Sequence, residues 1–281
     1  MRRIPVIATI RDAYIFAFTR LGGIMGLIWV PMVLITVAQF FAFYRYYNSF
    51  IDATLAGNPA LLGTSLLTML GYLVAAMLLY AVMAVAVVQL ALGARSDAAI
   101  AHFAFGPLEW RTFRAFMGLA GIGMAIIFIA LMLVEGARLA PMAGGGALLL
   151  VMAAAGLFLA PRLLLLLPAV AVSETAPALR RSWALSSGNH LRLLAVLLAI
   201  TVPPFALVLL VELAAGAGNT MISTALSVSD QVRVATHARD SLPLACGLGF
   251  LISPLMVGLF AGASVSAWRM LKEDVPAGIV A

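Results

Sequence analysis

The chain has few charged residues, one cysteine and few histidines. Only 10% of its 281 residues are Asp, Glu, Lys or Arg, whereas soluble domains have roughly a quarter. The single cysteine, Cys246, excludes an intrachain disulfide. The three histidines, His102, His190 and His237, are not paired within any predicted span. The sequence therefore argues against a membrane haem held by two histidines and predicts no metal and no cofactor.

The sequence also lacks the signatures of common enzymes. It contains no His-Glu-x-x-His motif, no phosphate-binding loop and no Gly-x-Ser-x-Gly motif. Ser, His and Asp residues occur, but they are too scattered to nominate a catalytic triad. We therefore predict that the chain is not an enzyme.

Long apolar runs dominate the sequence instead. Hydrophobic residues make up 64% of the chain, and the mean hydropathy is +1.11. Because about 20 apolar residues in a helix cross a bilayer, we predict an all-α membrane protein, a six-transmembrane-helix bundle forming a single integral membrane domain over residues 1–281. The spans are predicted at about residues 21–44, 66–92, 115–134, 147–168, 193–213 and 242–268.

Three segments between or before these spans are amphipathic, which is typical of helices lying in a lipid headgroup layer. In the third segment, Pro177 marks a helix start and Gly188 a helix end, and Trp183 lies on an apolar edge opposite Arg180 and Arg181. We predict amphipathic interfacial helices on the cytoplasmic side of the bundle. Their ranges are about 5–20, 95–114 and 175–189.

Lys and Arg residues are distributed unevenly between the two sides of the predicted bundle. Of the 17 Lys and Arg residues, 13 fall on the side that carries both termini. The other side has Arg45, Arg138, Arg233 and Arg239. Since positive charge favours the cytoplasmic side, we predict a multi-pass protein of the bacterial inner (plasma) membrane with a cytoplasmic N-terminus and C-terminus.

The net charge of +6 does not indicate nucleic-acid binding. The arginines flank apolar spans, and basic tracts interleaved with aromatic residues on a soluble surface are absent. Anionic membrane lipids are the partners that this pattern favours.

Two further patterns concern the last two spans. Pro203 and Pro204 fall near the centre of the fifth span and predict an interruption or kink of that helix. Gly258, Gly262 and Ser266 recur every four residues in the sixth span, a smooth stripe suited to close helix contact. We predict that this stripe meets a membrane protein partner or a second copy of the chain.

Arg162 is the most informative single residue, because an arginine inside a span is costly, by about 2.5–3.5 kcal/mol at the centre. Three interpretations stay open: the side chain snorkels to a lipid phosphate or to Glu174, it lines a headgroup or solute site, or it forms a structural pair. The candidate contacts to an anionic lipid or solute are Arg162, Arg180, Arg181, Trp183 and Arg192.

Residues 162–192 also resemble a family of bacterial six-helix membrane proteins. The resemblance rests on Arg162 with its leucine run, Pro168-Ala-Val-Ala, Glu174, and Ala178-Leu-Arg-Arg-Ser-Trp-Ala-Leu-Ser-Ser-Gly-Asn189. That family includes the membrane domain attached to some glycerophosphodiester phosphodiesterases. The resemblance implies membrane location and architecture only, since the chain has no room for the soluble catalytic barrel.

These observations lead to three functional hypotheses. The first is a non-enzymatic scaffold, regulatory or lipid-associated membrane module. The second is a transporter or permease for a small or lipidic solute, built around the fifth span and with Gln39, Gln89 or Arg162 lining a water-filled cavity. The third is an enzyme of membrane lipid metabolism.

Overall fold

The computed structural model describes residues 3–94, 105–136, 141–172, 178–214 and 227–272. Within these ranges the chain is helical and contains no strand. A short 3-10 helix, Pro59–Leu62, precedes the third long helix. The α-helices are α1 (Val6–Thr19), α2 (Leu21–Ala56), α3 (Gly63–Leu92), α4 (Pro107–Gly136), α5 (Pro141–Val172), α6 (Ala178–Ser186), α7 (His190–Ala214) and α8 (Val228–Lys272).

Five segments of this fold are long and apolar enough to cross a membrane. They are Leu21–Ala56, Pro59–Leu92, Ala153–Ala171, His190–Val211 and Val228–Leu271. The remaining predicted span, residues 115–134, lies within α4, which is not among the five. The all-helical class is confirmed, and the five helices suggest a membrane protein.

The helices extend further than the apolar runs predict. α2 continues to Ala56, and α8 begins at Val228, so residues 228–241 are helical and not part of a polar loop. Ser227 Oγ caps α8 by accepting a 3.2 Å hydrogen bond from the backbone nitrogen of Asp230. Arg239 Nη1 then donates to Asn48 Oδ1 at 3.1 Å, which joins the polar ends of α8 and α2.

Proline and glycine residues inside α5 and α7 do not end these helices. α5 begins at Pro141 and continues through Gly144-Gly145-Gly146. α7 runs without interruption through Pro203 and Pro204, so the predicted interruption of the fifth helix is wrong, whereas the kink stays a prediction. A helix in a bundle tolerates proline when neighbouring groups bind the carbonyls that proline leaves free.

The first predicted interfacial segment, α1, packs along α8 within the bundle. The α1 residues Thr9, Ala13 and Ala17 are 0% exposed. A Cβ at Gly262 would lie 3.0 Å from the Cα of Ala13, and one at Gly258 would lie 3.3 Å from the Cα of Ala17. Residue numbers rise along α1 as they fall along α8, so the two helices are antiparallel.

This contact covers the small-residue stripe of α8. Ser266 Oγ donates to Asp12 Oδ2 at 3.1 Å, next to the two glycines. The face that we expected to meet a second chain therefore meets α1 of the same chain. Close approach of the two backbones requires glycine here, because a side chain at either position would displace α1.

The other two amphipathic segments differ from each other. Residues 95–104 of the second segment lie outside the described ranges, and residues 107–114 form the first turns of α4. The third segment contains α6, which packs against α5.

Two apolar clusters fill the bundle interior. One joins α1, α5, α7 and α8, and the other joins α2, α3 and α8.

Candidate functional site

The guanidinium group of Arg162 lies between two aromatic rings. Its Cζ atom is 3.9 Å from the centroid of the Phe158 ring and 3.5 Å from that of the Trp183 ring. The two rings contact each other edge to face, with centroids 5.9 Å apart. We call Phe158, Arg162 and Trp183 the arginine clamp. Cation–π contact of this kind contributes from about 0.5 kcal/mol at an exposed site to about 2 kcal/mol at a desolvated one, and the Arg162 side chain is half-buried.

Local helix geometry and one tertiary hydrogen bond build the arginine clamp. Phe158 and Arg162 are four residues apart on α5, so their side chains lie on the same face of the helix. Trp183 comes from α6, which is held against α5 by a hydrogen bond from the Ser182 hydroxyl to the carbonyl oxygen of Arg162. Ser182 is 2% exposed, so this bond is shielded from water.

Two nitrogen atoms of the clamped guanidinium are buried and have no acceptor. Nε and Nη1 of Arg162 make no hydrogen bond in the part of the chain that the structure describes. Glu174, an expected partner of Arg162, lies outside the described residues. A buried donor without an acceptor costs about 1–3 kcal/mol, and more when it is charged. An oxygen-rich anion would satisfy these two donors once the side chains that cover them moved aside.

His190, at the start of α7, lies beside the arginine clamp. Its ring centroid is 5.8 Å from that of Phe158. Its Nδ1 atom is buried and, within the described ranges, has no hydrogen-bond partner. Phe158 and His190 were not among the predicted site residues. The spacing of Phe158 four residues before Arg162 is the sequence signal that indicates its role.

The structure does not bring the other predicted arginines into the arginine clamp. The Cζ atom of Arg181 lies 5.1 Å from the Trp268 ring of α8, while Arg180 is exposed. Arg192 Nη1 donates to the carbonyl oxygen of Ile4 at 3.1 Å. Of the five predicted contact residues, the structure therefore joins only Arg162 and Trp183.

Arg192 instead helps to fix the segment that precedes α1. The amide of Ile4 donates to Asn189 Oδ1 at 3.2 Å, so both backbone groups of Ile4 are bonded to the α6–α7 junction. The Ile4 side chain is 1% exposed and lies in the cluster that joins α1, α5, α7 and α8. Arg192 therefore has a structural role, which is to hold the segment before α1 against the α6–α7 junction.

No group of three or more His, Cys, Asp and Glu side chains that could hold a metal ion occurs among the described residues. Comparison with protein-family models, curated proteins and solved structures gives no match to the chain. The resemblance of residues 162–192 to the six-helix membrane family therefore stays a prediction.

Proposed function

We propose that the chain is a non-enzymatic, multi-pass protein of a bacterial inner membrane that acts as a scaffold, regulatory or lipid-associated module and binds an anionic lipid headgroup at the arginine clamp. In this proposal α4 is the sixth span and both termini lie in the cytoplasm. The orientation rests on the 13 Lys and Arg residues on the side of the termini.

The observation that supports this function is the orientation of Arg162 between two rings with two buried donors left over. The two rings are steeply inclined to each other, at 74°, and contact the guanidinium from two directions, which leaves the rest of its surface for other groups. A lipid phosphate offers several acceptor oxygens for Nε and Nη1, which are covered here, so binding would require a shift of the surrounding side chains. Cation–π contact offsets part of the cost of placing Arg162 in a span, and a phosphate would offset more.

The transporter hypothesis receives less support. It requires a water-filled cavity lined by Arg162, Gln39 or Gln89. A cavity of about 720 Å³ between α3, α4, α5, α7 and α8 is lined by none of these three residues. An enzyme of lipid metabolism stays the third hypothesis, with no described residues that favour it.

Native mass spectrometry of the protein in mild detergent tests the proposed headgroup site. We expect wild type to retain phosphatidylglycerol or cardiolipin and Arg162→Leu to lose this retention. Arg180→Ala is the matched control, because it removes an exposed arginine from the neighbouring helix. Equal retention by all three proteins would mean that Arg162 makes no headgroup contact.

A conservative variant separates charge from geometry. Arg162→Lys keeps the positive charge but lacks the planar group that stacks between Phe158 and Trp183. We expect its lipid retention to lie between those of wild type and Arg162→Leu. Retention equal to wild type would show that charge alone is sufficient.

A further inference from the structure

An apolar cavity lies between five helices of the bundle, and none of the arginine clamp residues lines it. The cavity of about 720 Å³ is walled by α3, α4, α5, α7 and α8. Its lining includes Leu119 of α4, Pro204 near the middle of α7, and Met256 in the apolar part of α8. Its volume is within the range of about 300–1,000 Å³ found for small-molecule sites.

The lining offers almost nothing to a polar occupant. Tyr80 and Ser253 are the only lining residues with a hydroxyl group, and none is charged. Ser253 Oγ already donates to the carbonyl oxygen of Gly249 at 2.6 Å. Since an ordered water needs two to four polar partners, this cavity favours neither water nor a hydrophilic solute.

The position of the cavity indicates which apolar molecule reaches it. Four of its five walls come from segments apolar enough to span a membrane. Phe205, which lines the cavity on α7, is 66% exposed, so the cavity is open on this side to the surroundings of the bundle. In a bilayer those surroundings are lipid hydrocarbon chains.

We propose that this cavity binds one hydrocarbon chain of a membrane lipid, which enters laterally beside α7. The hydrocarbon chain contacts the side chains of Pro204, Phe205 and Met256 and does not cross water to reach them. Binding depends on shape and apolar contact, because no charged side chain lines the cavity. The site does not involve Arg162, so the test of this proposal is independent of the test of the headgroup site.

Glycine substitutions on α8 provide a matched pair of variants. Gly249 lines the cavity, and a Cβ there would meet no atom within 4 Å, so Gly249→Leu fills part of the space. Gly247 lies two residues away, outside the lining, and its Cβ would also meet no atom within 4 Å. Gly247→Leu therefore adds the same side chain to the same helix without filling the cavity.

The test is photolabelling in nanodiscs that contain a trace of phosphatidylcholine with a diazirine in one acyl chain. Mass spectrometry measures the ratio of label on Met256 to label on Leu251, which is 75% exposed and lines no part of the cavity. We expect a high ratio in wild type, Gly247→Leu and Arg162→Leu. The ratio falls in Gly249→Leu, because the added side chain excludes the lipid.

An equal ratio in Gly249→Leu and Gly247→Leu would overturn the proposal. Ala245→Leu is the second filling variant, since Ala245 also lines the cavity. It replaces Gly249→Leu if the latter does not give a folded protein, and the same fall in the ratio is expected.

Discussion

The hydroxyl group of Tyr14 donates a 3.1 Å hydrogen bond to the carbonyl oxygen of Ala199. In a regular helix that oxygen accepts from the backbone nitrogen four residues later, which here belongs to Pro203 and carries no hydrogen. α1 thus supplies the donor that α7 lacks. This contact helps to explain why α7 continues through two prolines that predict a break.

The first prediction concerns this bond. Tyr14→Phe leaves the Ala199 carbonyl without its donor and should destabilise the protein by about 1 kcal/mol. Thermal unfolding in detergent measures the loss. In a Pro203→Ala background the alanine restores a backbone donor, so the cost of Tyr14→Phe should shrink.

Pro204→Ala is the control for that comparison. It restores a donor to the Ile200 carbonyl and not to that of Ala199. The full cost of Tyr14→Phe should therefore persist in the Pro204→Ala background. Equal costs in both backgrounds would contradict a specific link between Tyr14 and Pro203.

The second prediction concerns the packing of α1 against α8. Gly262→Val places a branched side chain against the Ala13 backbone and should destabilise the fold by about 1–3 kcal/mol. Gly247→Val, at a position with no atom within 4 Å of an added Cβ, should cost less. Unfolding of the two variants is compared in the same detergent. A Gly262→Val protein that keeps its stability but changes its oligomeric state would favour a partner on this face.

The third prediction tests the aromatic half of the arginine clamp. Trp183→Leu removes the ring 3.5 Å from the Arg162 guanidinium and should lower retention of anionic lipid. Trp183→Phe keeps a ring at this position and should preserve most of it. Native mass spectrometry measures how much anionic lipid each variant retains. Equal retention by the leucine and phenylalanine variants would exclude a role for stacking.

The fourth prediction concerns the segment before α1. Asn189→Ala removes the acceptor for the Ile4 amide, which should then exchange its hydrogen faster. Arg180→Ala changes an exposed arginine on α6 and should leave exchange at Ile4 unchanged. Hydrogen exchange followed by mass spectrometry reports both. Unchanged exchange in Asn189→Ala would show that other contacts hold this segment.

The fifth prediction addresses orientation. In a Cys246→Ser background, a cysteine at Asn58 should react with a membrane-impermeant reagent added outside intact cells, and one at Ser187 should be protected. Both positions are exposed, so access depends on the side of the membrane. The reverse pattern would contradict cytoplasmic termini.

The sequence alone predicts the helical class, which the described residues confirm, and its apolar runs suggest a membrane protein. Runs of 20 or more apolar residues have no stable place in a small soluble core, and in a bilayer they satisfy their backbone groups only as helices. The approximate positions of the five segments that are long and apolar enough to span a membrane follow from composition. The limits of α2 and α8 do not, because capping and the bond between Asn48 and Arg239 extend these helices beyond the apolar runs.

Only the tertiary structure decides which contacts the glycine stripe and the arginines make. The glycine stripe of α8 indicates a close contact, but its neighbour is α1, which the sequence presents as an interfacial helix. Arg162 and Trp183 are 21 positions apart, and they meet because Ser182 ties α6 to α5. Arg192 carries the same charge as Arg162, yet it binds the carbonyl of Ile4, a residue 188 positions away. Periodicity and composition describe one helix at a time, whereas these roles depend on which helices pack together.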